Sequence, residues 1–222
     1  MDPYSLILYH KKEFCHILFY ILFFINAIIL LVIILMIPTI IEKGQYKDYA
    51  YDIYSHLLNN RVIFLSGVIN DNISNLIISE LLYLDSLSNE EISLDINSPG
   101  GSVTSGFAII DTMNFIKSDV RTICIGSAAS MAALILAAGK KGIRCALPNS
   151  EVMIHQPLGG VEGQATEIKI VAEHILTTKD KINKLLSKLT DQSLEKIKID
   201  TERDYYLSSL EAKKYGIIDK II

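Results

Sequence analysis

The chain has 222 residues, half of them hydrophobic, which is enough to bury one sizeable core. Its formal net charge of −4 leaves no excess of basic side chains, which argues against nucleic acid as a partner. The three cysteines, Cys15, Cys124 and Cys145, lack the spacing of a metal site. Their odd number favours reduced thiols, as in the cytosol, over disulfides.

The first segment in chain order is apolar. Residues 17–37 are uncharged and apolar apart from Asn26, and the segment is long enough to cross a bilayer. Lys11 and Lys12 precede it, so as a signal anchor it would place residues 38–222 outside the cytoplasm. Alternatively, translation begins at Met36 and the preceding residues are a mis-assigned upstream start. We therefore divide the chain into an apolar N-terminal helix, residues 1–37, and a folded domain, residues 38–222.

From residue 42 onward, strand and helix patterns alternate, which is typical of an α/β fold with one layered core. The predicted helices cover residues 49–59, 73–87, 103–117, 128–138, 164–189, 193–199 and 208–215. The predicted strands cover residues 61–69, 92–96, 121–125, 143–147, 151–154 and 216–222, with an extended segment at 201–207.

Residues 128–138 form the most apolar of the predicted helices of the folded domain. They are small or apolar at every position except Ser130, which predicts a buried core helix with one hydroxyl near its N-terminus. Free amides and the positive end of the helix dipole gather there. A serine in that place can act as a nucleophile, with nearby amides holding the oxyanion. Alternatively, Ser130 or Ser127 merely caps the helix.

Two other features of the sequence are candidates for a binding or catalytic role. The turn Asn97-Ser-Pro-Gly-Gly-Ser102 has paired glycines, which either let the backbone approach a ligand closely or simply close a strand–helix turn. His155 lies at a strand end before Gln-Pro and a glycine-rich loop, where an imidazole can face a cleft. The residues do not single out an acid partner, since four aspartates are equal candidates: Asp191, Asp200, Asp204 and Asp219.

Several segments together resemble one family, the proteolytic subunit of the Clp protease, ClpP. They occur in the family order and cover residues 38 to 222. The matching segments are Tyr51-Asp-Ile-Tyr-Ser, Arg61-Val-Ile-Phe-Leu, Ile96-Asn-Ser-Pro-Gly-Gly101, Gly126-Ser-Ala-Ala-Ser-Met131, Leu147-Pro-Asn-Ser, Met153-Ile-His-Gln-Pro-Leu-Gly-Gly160, Gly163-Gln-Ala-Thr, Thr201-Glu-Arg-Asp204, Glu211-Ala and Tyr215-Gly-Ile-Ile-Asp219.

The resemblance implies a catalytic triad. Ser130 would be the nucleophile, His155 the general base and Asp204 the acid that orients His155. The backbone N–H groups of Gly101 and Met131 would form the oxyanion hole. No metal or organic cofactor is implied.

The resemblance also implies an assembly. The fold would be a crotonase-like spiral of strand-strand-helix units, and this chain would form two stacked seven-membered rings interlocked through the helix 164–189. An AAA+ unfoldase such as ClpX, ClpA or ClpC would use ATP to feed unfolded proteins into the chamber. The implied function is a serine endopeptidase of an ATP-dependent protease in the cytoplasm. Since a protease cannot lie across a membrane from its cytosolic ATPase, we expect a cytosolic protein that begins at or near Met36, with membrane attachment only if residues 17–37 are retained.

The sequence departs from the family pattern at several positions. Ser127 and Ala132 replace the usual Gln and Gly with small residues, so we expect catalysis to survive. Ser93 and Asp95 stand where many members carry aromatic residues of the unfoldase-docking pocket, which argues against ordinary docking.

Three other functions are compatible with parts of the sequence. A membrane-anchored protease of signal-peptide-peptidase type would suit residues 17–37, but such enzymes pair serine with lysine. A non-catalytic ring subunit characteristically lacks members of the triad. A crotonase-type acyl-CoA enzyme would not need Ser130 together with His155.

Overall fold

The computed structural model describes residues 22–24, 26, 37–43 and 47–222. Most of the predicted N-terminal helix, and the alternative start at Met36, lie outside the described residues. Within the part that the structure describes, no helix is both long and apolar enough to cross a bilayer. The chain divides into two units, Met1–Leu57 and Leu58–Ile222. The boundary predicted after residue 37 stays a prediction.

The first unit contains a two-stranded antiparallel sheet. Strand β1 (Thr39–Glu42) pairs with β2 (Tyr49–Asp52), and helix α1 (Ile53–Asn59) follows directly. The helix predicted over 49–59 is therefore wrong in its first four residues, because those residues pair with β1. Asp52 ends the strand by accepting a hydrogen bond from the Ser55 amide at 2.9 Å, which satisfies one free N–H of the helix start.

The second unit is a mixed α/β structure, as the alternating pattern predicts, and it is built around a seven-stranded, mostly parallel sheet. Its strands are β3 (Val62–Ser66), β4 (Ile92–Ser98), β5 (Val120–Ala129), β6 (Cys145–Ala146), β7 (Glu151–Ile154), β8 (Tyr205–Ser208) and β9 (Lys220–Ile221). Its helices are α2 (Asp71–Leu87), α3 (Val103–Phe115), α4 (Met131–Ala137), α5 (Ala165–Thr190), α6 (Leu194–Asp200) and α7 (Ser209–Tyr215).

Strand β5 is the strand at which the sheet branches. The sheet order is β3-β4-β5-β6-β9, and β7 pairs with β5 and with β8. The first half of β5 pairs with β6 at Ile123 and Cys124, while its second half pairs with β7 at Ser127–Ala129. Every pairing in this sheet is parallel except that of β7 with β8. Besides β4, two different strands therefore pair with β5 along its length. Strands β6 and β9 continue the sheet from its first half, and β7 and β8 continue it from its second half.

The core follows from the alternation of side chains along the strands. On β4, Ile92, Leu94 and Ile96 are fully buried on one face, as their period of two predicts. All seven residues of α4 are buried as well. An apolar helix without a polar face is stable only inside the protein, and α4 lies at its centre.

The predicted helix 128–138 begins later than the sequence pattern indicates. Ala128 and Ala129 belong to β5, because they pair with Val152 and Met153 of β7. Alanine has the highest helix propensity of any residue, but propensity is a weak preference that pairing with a neighbouring strand overrides. The strand ends at Ala129 and the helix begins at Met131, so Ser130 lies at the junction between them.

The predicted strand 143–147 is shorter than expected because a side chain binds the backbone at its start. The amides of Gly142 and Arg144 donate to the Asp219 carboxylate at 2.7 and 3.0 Å instead of to a strand partner. The buried Arg144 guanidinium also pairs with Asp219 at 2.7 Å and fastens the C-terminal segment to the core.

Candidate active site

Ser130 occupies a strained junction between β5 and α4. Its backbone has φ 57° and ψ −120°, a conformation that costs a non-glycine residue about 1–3 kcal/mol. The surrounding backbone holds it there: the Ser130 amide donates to the Met153 carbonyl at 2.8 Å, and its carbonyl accepts from Ala133 at 3.1 Å. The Ser130 hydroxyl makes no capping hydrogen bond to the helix, so the capping alternative is wrong for this side chain. Ser127 lies within β5 and caps no helix either.

His155 directly follows β7 and contacts the Ser130 hydroxyl. Because β5 and β7 run parallel with Ala129 opposite Met153, the residues after both strands emerge at the same edge. The imidazole Nε2 lies 2.8 Å from Ser130 Oγ. His155 is therefore placed within hydrogen-bonding reach by the pairing of the two strands.

Asp204 completes a line of three side chains. Strands β7 and β8 are antiparallel with Ile154 opposite Tyr205, so the next pair outward is His155 and Asp204. Asp204 Oδ1 lies 3.0 Å from His155 Nδ1. A carboxylate can only accept, so Nδ1 carries the proton and Nε2 is left to accept from the Ser130 hydroxyl.

The other candidate aspartates are engaged elsewhere. Asp200 accepts hydrogen bonds from Lys196 at 2.5 Å and from Tyr215 at 2.7 Å. Asp191 pairs with Lys141, and Asp219 pairs with the buried Arg144. Among the four aspartates that the residues left open, only Asp204 is paired with His155.

The glycine turn passes directly over the junction at Ser130. Gly100 and Gly101 have φ values of +87° and +151°, which side chains rarely adopt. A Cβ atom on Gly100 would lie 2.6 Å from the Ala129 carbonyl oxygen and 2.9 Å from the Met131 amide nitrogen. The turn needs glycine because no side chain fits between it and the start of α4.

Two backbone N–H groups near Ser130 take no part in the strand bridge or the helix beside them. Gly101 bridges Ile69 in parallel, and the hydrogen bonds of that bridge use the Ile69 amide, the Gly100 carbonyl and the Ser102 amide. The N–H of Gly101 therefore points away from Ile69. Met131 is the first residue of α4, so its N–H has no acceptor within the helix.

An apolar pocket opens beside the Ser130 hydroxyl and His155. Its other lining residues are Val103, Met131, Leu134, Ile154, Pro157, Ile182 and Leu186. A wider cleft of about 300 Å³ adjoins it, with Val68, Gly100, Gly101 and Leu158 among its walls. The serine, the imidazole and the glycine turn thus share one concave site.

The remaining nucleophiles and ligands lie apart from this site. Cys124 and Cys145 are both free and buried, and burial raises the pKa of both thiols. Among the described residues, no group of three or more His, Cys, Asp or Glu side chains could hold a metal ion. That the reaction needs no cofactor stays a prediction.

The sequence model of the Clp protease family matches residues 44–222. The chain belongs to the Clp protease family. This match confirms the resemblance drawn from the motifs and makes the chain a peptidase of Clp type, hence a hydrolase. The Clp protease match begins beyond the apolar N-terminal segment.

Proposed function

We propose that this Clp protease is a serine endopeptidase in which Ser130, His155 and Asp204 form the catalytic triad. The observation that carries the proposal is the unbroken line of two hydrogen bonds, 2.8 Å from Ser130 to His155 and 3.0 Å from His155 to Asp204. A serine hydroxyl is a weak nucleophile until an adjacent base accepts its proton. This line supplies both the base and the group that orients it.

The geometry supports the following sequence of steps. As Ser130 Oγ attacks the peptide carbonyl, His155 Nε2 takes the hydroxyl proton, and Asp204 stabilises the imidazolium that forms. The tetrahedral intermediate collapses when His155 donates this proton to the leaving amine. A water molecule then repeats the cycle on the acyl-enzyme and frees the new carboxyl terminus.

The oxyanion of the intermediate would be bound by the amides of Gly101 and Met131. Both N–H groups lie beside Ser130 and are free of the bridge and helix that flank them. Donors fixed in place before the reaction stabilise developing charge without reorganisation. Removing one such donor costs about 10²–10³-fold in kcat in comparable enzymes.

The apolar pocket supports a preference for an apolar substrate side chain. Its lining is aliphatic apart from Ser130 and His155, so the side chain before the scissile bond would be apolar. Neither the apolar pocket nor the adjoining cleft has a lysine among the described residues that line it, which disfavours the Ser–Lys mechanism of signal-peptide peptidases.

At the level of assembly, we propose a crotonase-like subunit of two stacked heptameric rings, fed with unfolded proteins by an ATP-consuming AAA+ partner in the cytoplasm. The family supports this, since Clp peptidases are ring-forming partners of such unfoldases. The exposed apolar side chains on the first half of α5 also support it: Ile168, Ile170 and Leu176 are 41, 61 and 64% exposed. Such side chains on a helix favour burial against another chain.

The test is hydrolysis of a fluorogenic peptide with an apolar residue before the reporter group. Ser130→Ala should lower kcat by about 10⁶-fold, because triad members act as a unit. The matched control is Ser127→Ala, three residues earlier in β5, which should keep most of the activity. Near wild-type hydrolysis by a folded Ser130→Ala protein would overturn the proposal.

A further inference from the structure

The position of Asp204 beside His155 is set by the backbone on either side of Asp204, because the Asp204 side chain is not packed in the core. The Asp204 side chain is 57% exposed, whereas that of His155 is only 13% exposed. On one flank, the antiparallel ladder of β7 and β8 begins at Tyr205 and fixes the chain. On the other flank, residues 201–203 form a turn outside the ladder, so other contacts must hold it.

Two elements hold that turn. The backbone amide of Gln156 donates to the Thr201 carbonyl at 2.6 Å, and its side-chain amide donates to the Glu202 carbonyl at 2.8 Å. Lys179 of α5 donates to the Glu202 carboxylate at 2.7 Å. Glu202 is thus bound through both its backbone and its side chain, two residues before Asp204.

We propose that Lys179 is a positioning residue for Asp204, acting through its ion pair with Glu202. The Lys179 side chain is three-quarters buried, at 24% exposure, so its reach toward Glu202 is restricted. Its helix is anchored over the next two turns by the buried Ile182, Asn183 and Leu186. The Asn183 side chain accepts a hydrogen bond from Thr201 at 3.1 Å, which ties the same turn to the same helix.

The Lys179–Glu202 ion pair is formed by two charged groups at neutral pH. The hydrogen bond and the charge of Lys179 lower the pKa of Glu202, so the carboxylate is ionised at neutral pH. An ion pair at this exposure contributes little to global stability, so its loss should leave the fold intact. The loss would instead release Glu202, two residues before Asp204, and the inference rests on the proposed role of Asp204 in the triad.

The test compares three variants of the full-length protein on the fluorogenic peptide. Lys179→Met should lower kcat by about tenfold or more with KM little changed, because a misplacement of about 1 Å can cost about 100-fold. Lys179→Arg keeps a cation there and should restore most of the activity. Lys184→Met removes a comparable pair, with Asp180 at 2.6 Å on the same helix, and should leave kcat unchanged.

A double-mutant cycle separates positioning from a general loss of structure. In an Asp204→Asn background, Lys179→Met should cause no further loss, because its effect passes through the carboxylate that is already absent. If Lys179→Met does not fold, Glu202→Gln breaks the same pair and should give the same pattern. Full kcat in the folded Lys179→Met or Glu202→Gln protein, or equal losses in both backgrounds, would overturn the inference. Full activity of Asp204→Asn alone would overturn the triad instead.

Discussion

Asp204 is the member of the triad that local sequence cannot identify. The serine stands out as a lone hydroxyl in an apolar stretch, and the histidine stands out at a strand end before a glycine-rich loop. The aspartate is opposite His155 only because β7 and β8 pair with Ile154 against Tyr205. A register between strands that are about 50 residues apart is not encoded in either segment alone, so the residues leave four aspartates as equal candidates and only the resemblance selects Asp204.

At the residue scale, we predict that Asp204→Asn and Asp200→Asn behave very differently. Asp204→Asn should lower kcat by about 10⁴-fold, because an amide favours the wrong imidazole tautomer. Asp200→Asn should leave kcat near wild type, since Asp200 contacts Lys196 and Tyr215 and not His155. Steady-state kinetics on the fluorogenic peptide measure both. Equal losses, or a larger loss in Asp200→Asn, would refute the choice of acid.

At the scale of elements, the pattern of side chains predicts most of the helices and strands of the second unit. The helix predicted over 164–189 is α5 at Ala165–Thr190, because its apolar period is long and regular. The failures occur where pairing with another strand decides the structure. Residues 49–52 and 128–129 have helical patterns, yet both segments are strands because a partner strand lies beside them.

The glycine turn gives a prediction at this scale. In Gly101→Ala, the new Cβ would lie 2.2 Å from the Ile69 carbonyl oxygen, and the residue would keep an unfavourable φ of +151°. We expect a loss of about 1–3 kcal/mol in the free energy of unfolding and a large loss of peptidase activity. Chemical denaturation and peptide hydrolysis measure the two effects.

The matched control for this turn is Gly160→Ala. A Cβ on Gly160 meets no atom within 4 Å, and its φ lies outside the restricted positive range, so stability and activity should stay near wild type. A Gly101→Ala protein as stable and active as Gly160→Ala would mean that the turn does not require glycine.

At the scale of the whole molecule, the resemblance places Ser93 and Asp95 where many family members carry aromatic residues of the unfoldase-docking pocket. The Ser93 hydroxyl donates to Asp95 Oδ1 at 2.9 Å, and burial raises the pKa of the Asp95 carboxyl. A few buried anchors, often aromatic, carry most of the binding energy at such contacts, and Ser93 and Asp95 provide no aromatic anchor. We therefore expect weak or altered docking of an ordinary AAA+ partner.

This expectation is tested with Ser93→Tyr and Asp95→Tyr. Each should strengthen binding of the unfoldase and speed ATP-dependent degradation of a folded substrate, while hydrolysis of the small peptide is unchanged. Asp111→Tyr, at an exposed position on α3, is the control for adding an aromatic ring elsewhere. If neither substitution changes the affinity for the unfoldase, the docking surface is not formed by these residues.

Covalent labelling tests most directly whether Ser130 is the nucleophile of this Clp protease. A fluorophosphonate reacts with a serine that an adjacent base has activated, and mass spectrometry of the digested protein locates the adduct. We predict a single adduct on Ser130, retained in Ser127→Ala and absent from Ser130→Ala. An adduct on another residue, or peptide hydrolysis that continues at full rate without labelling of Ser130, would contradict the claim.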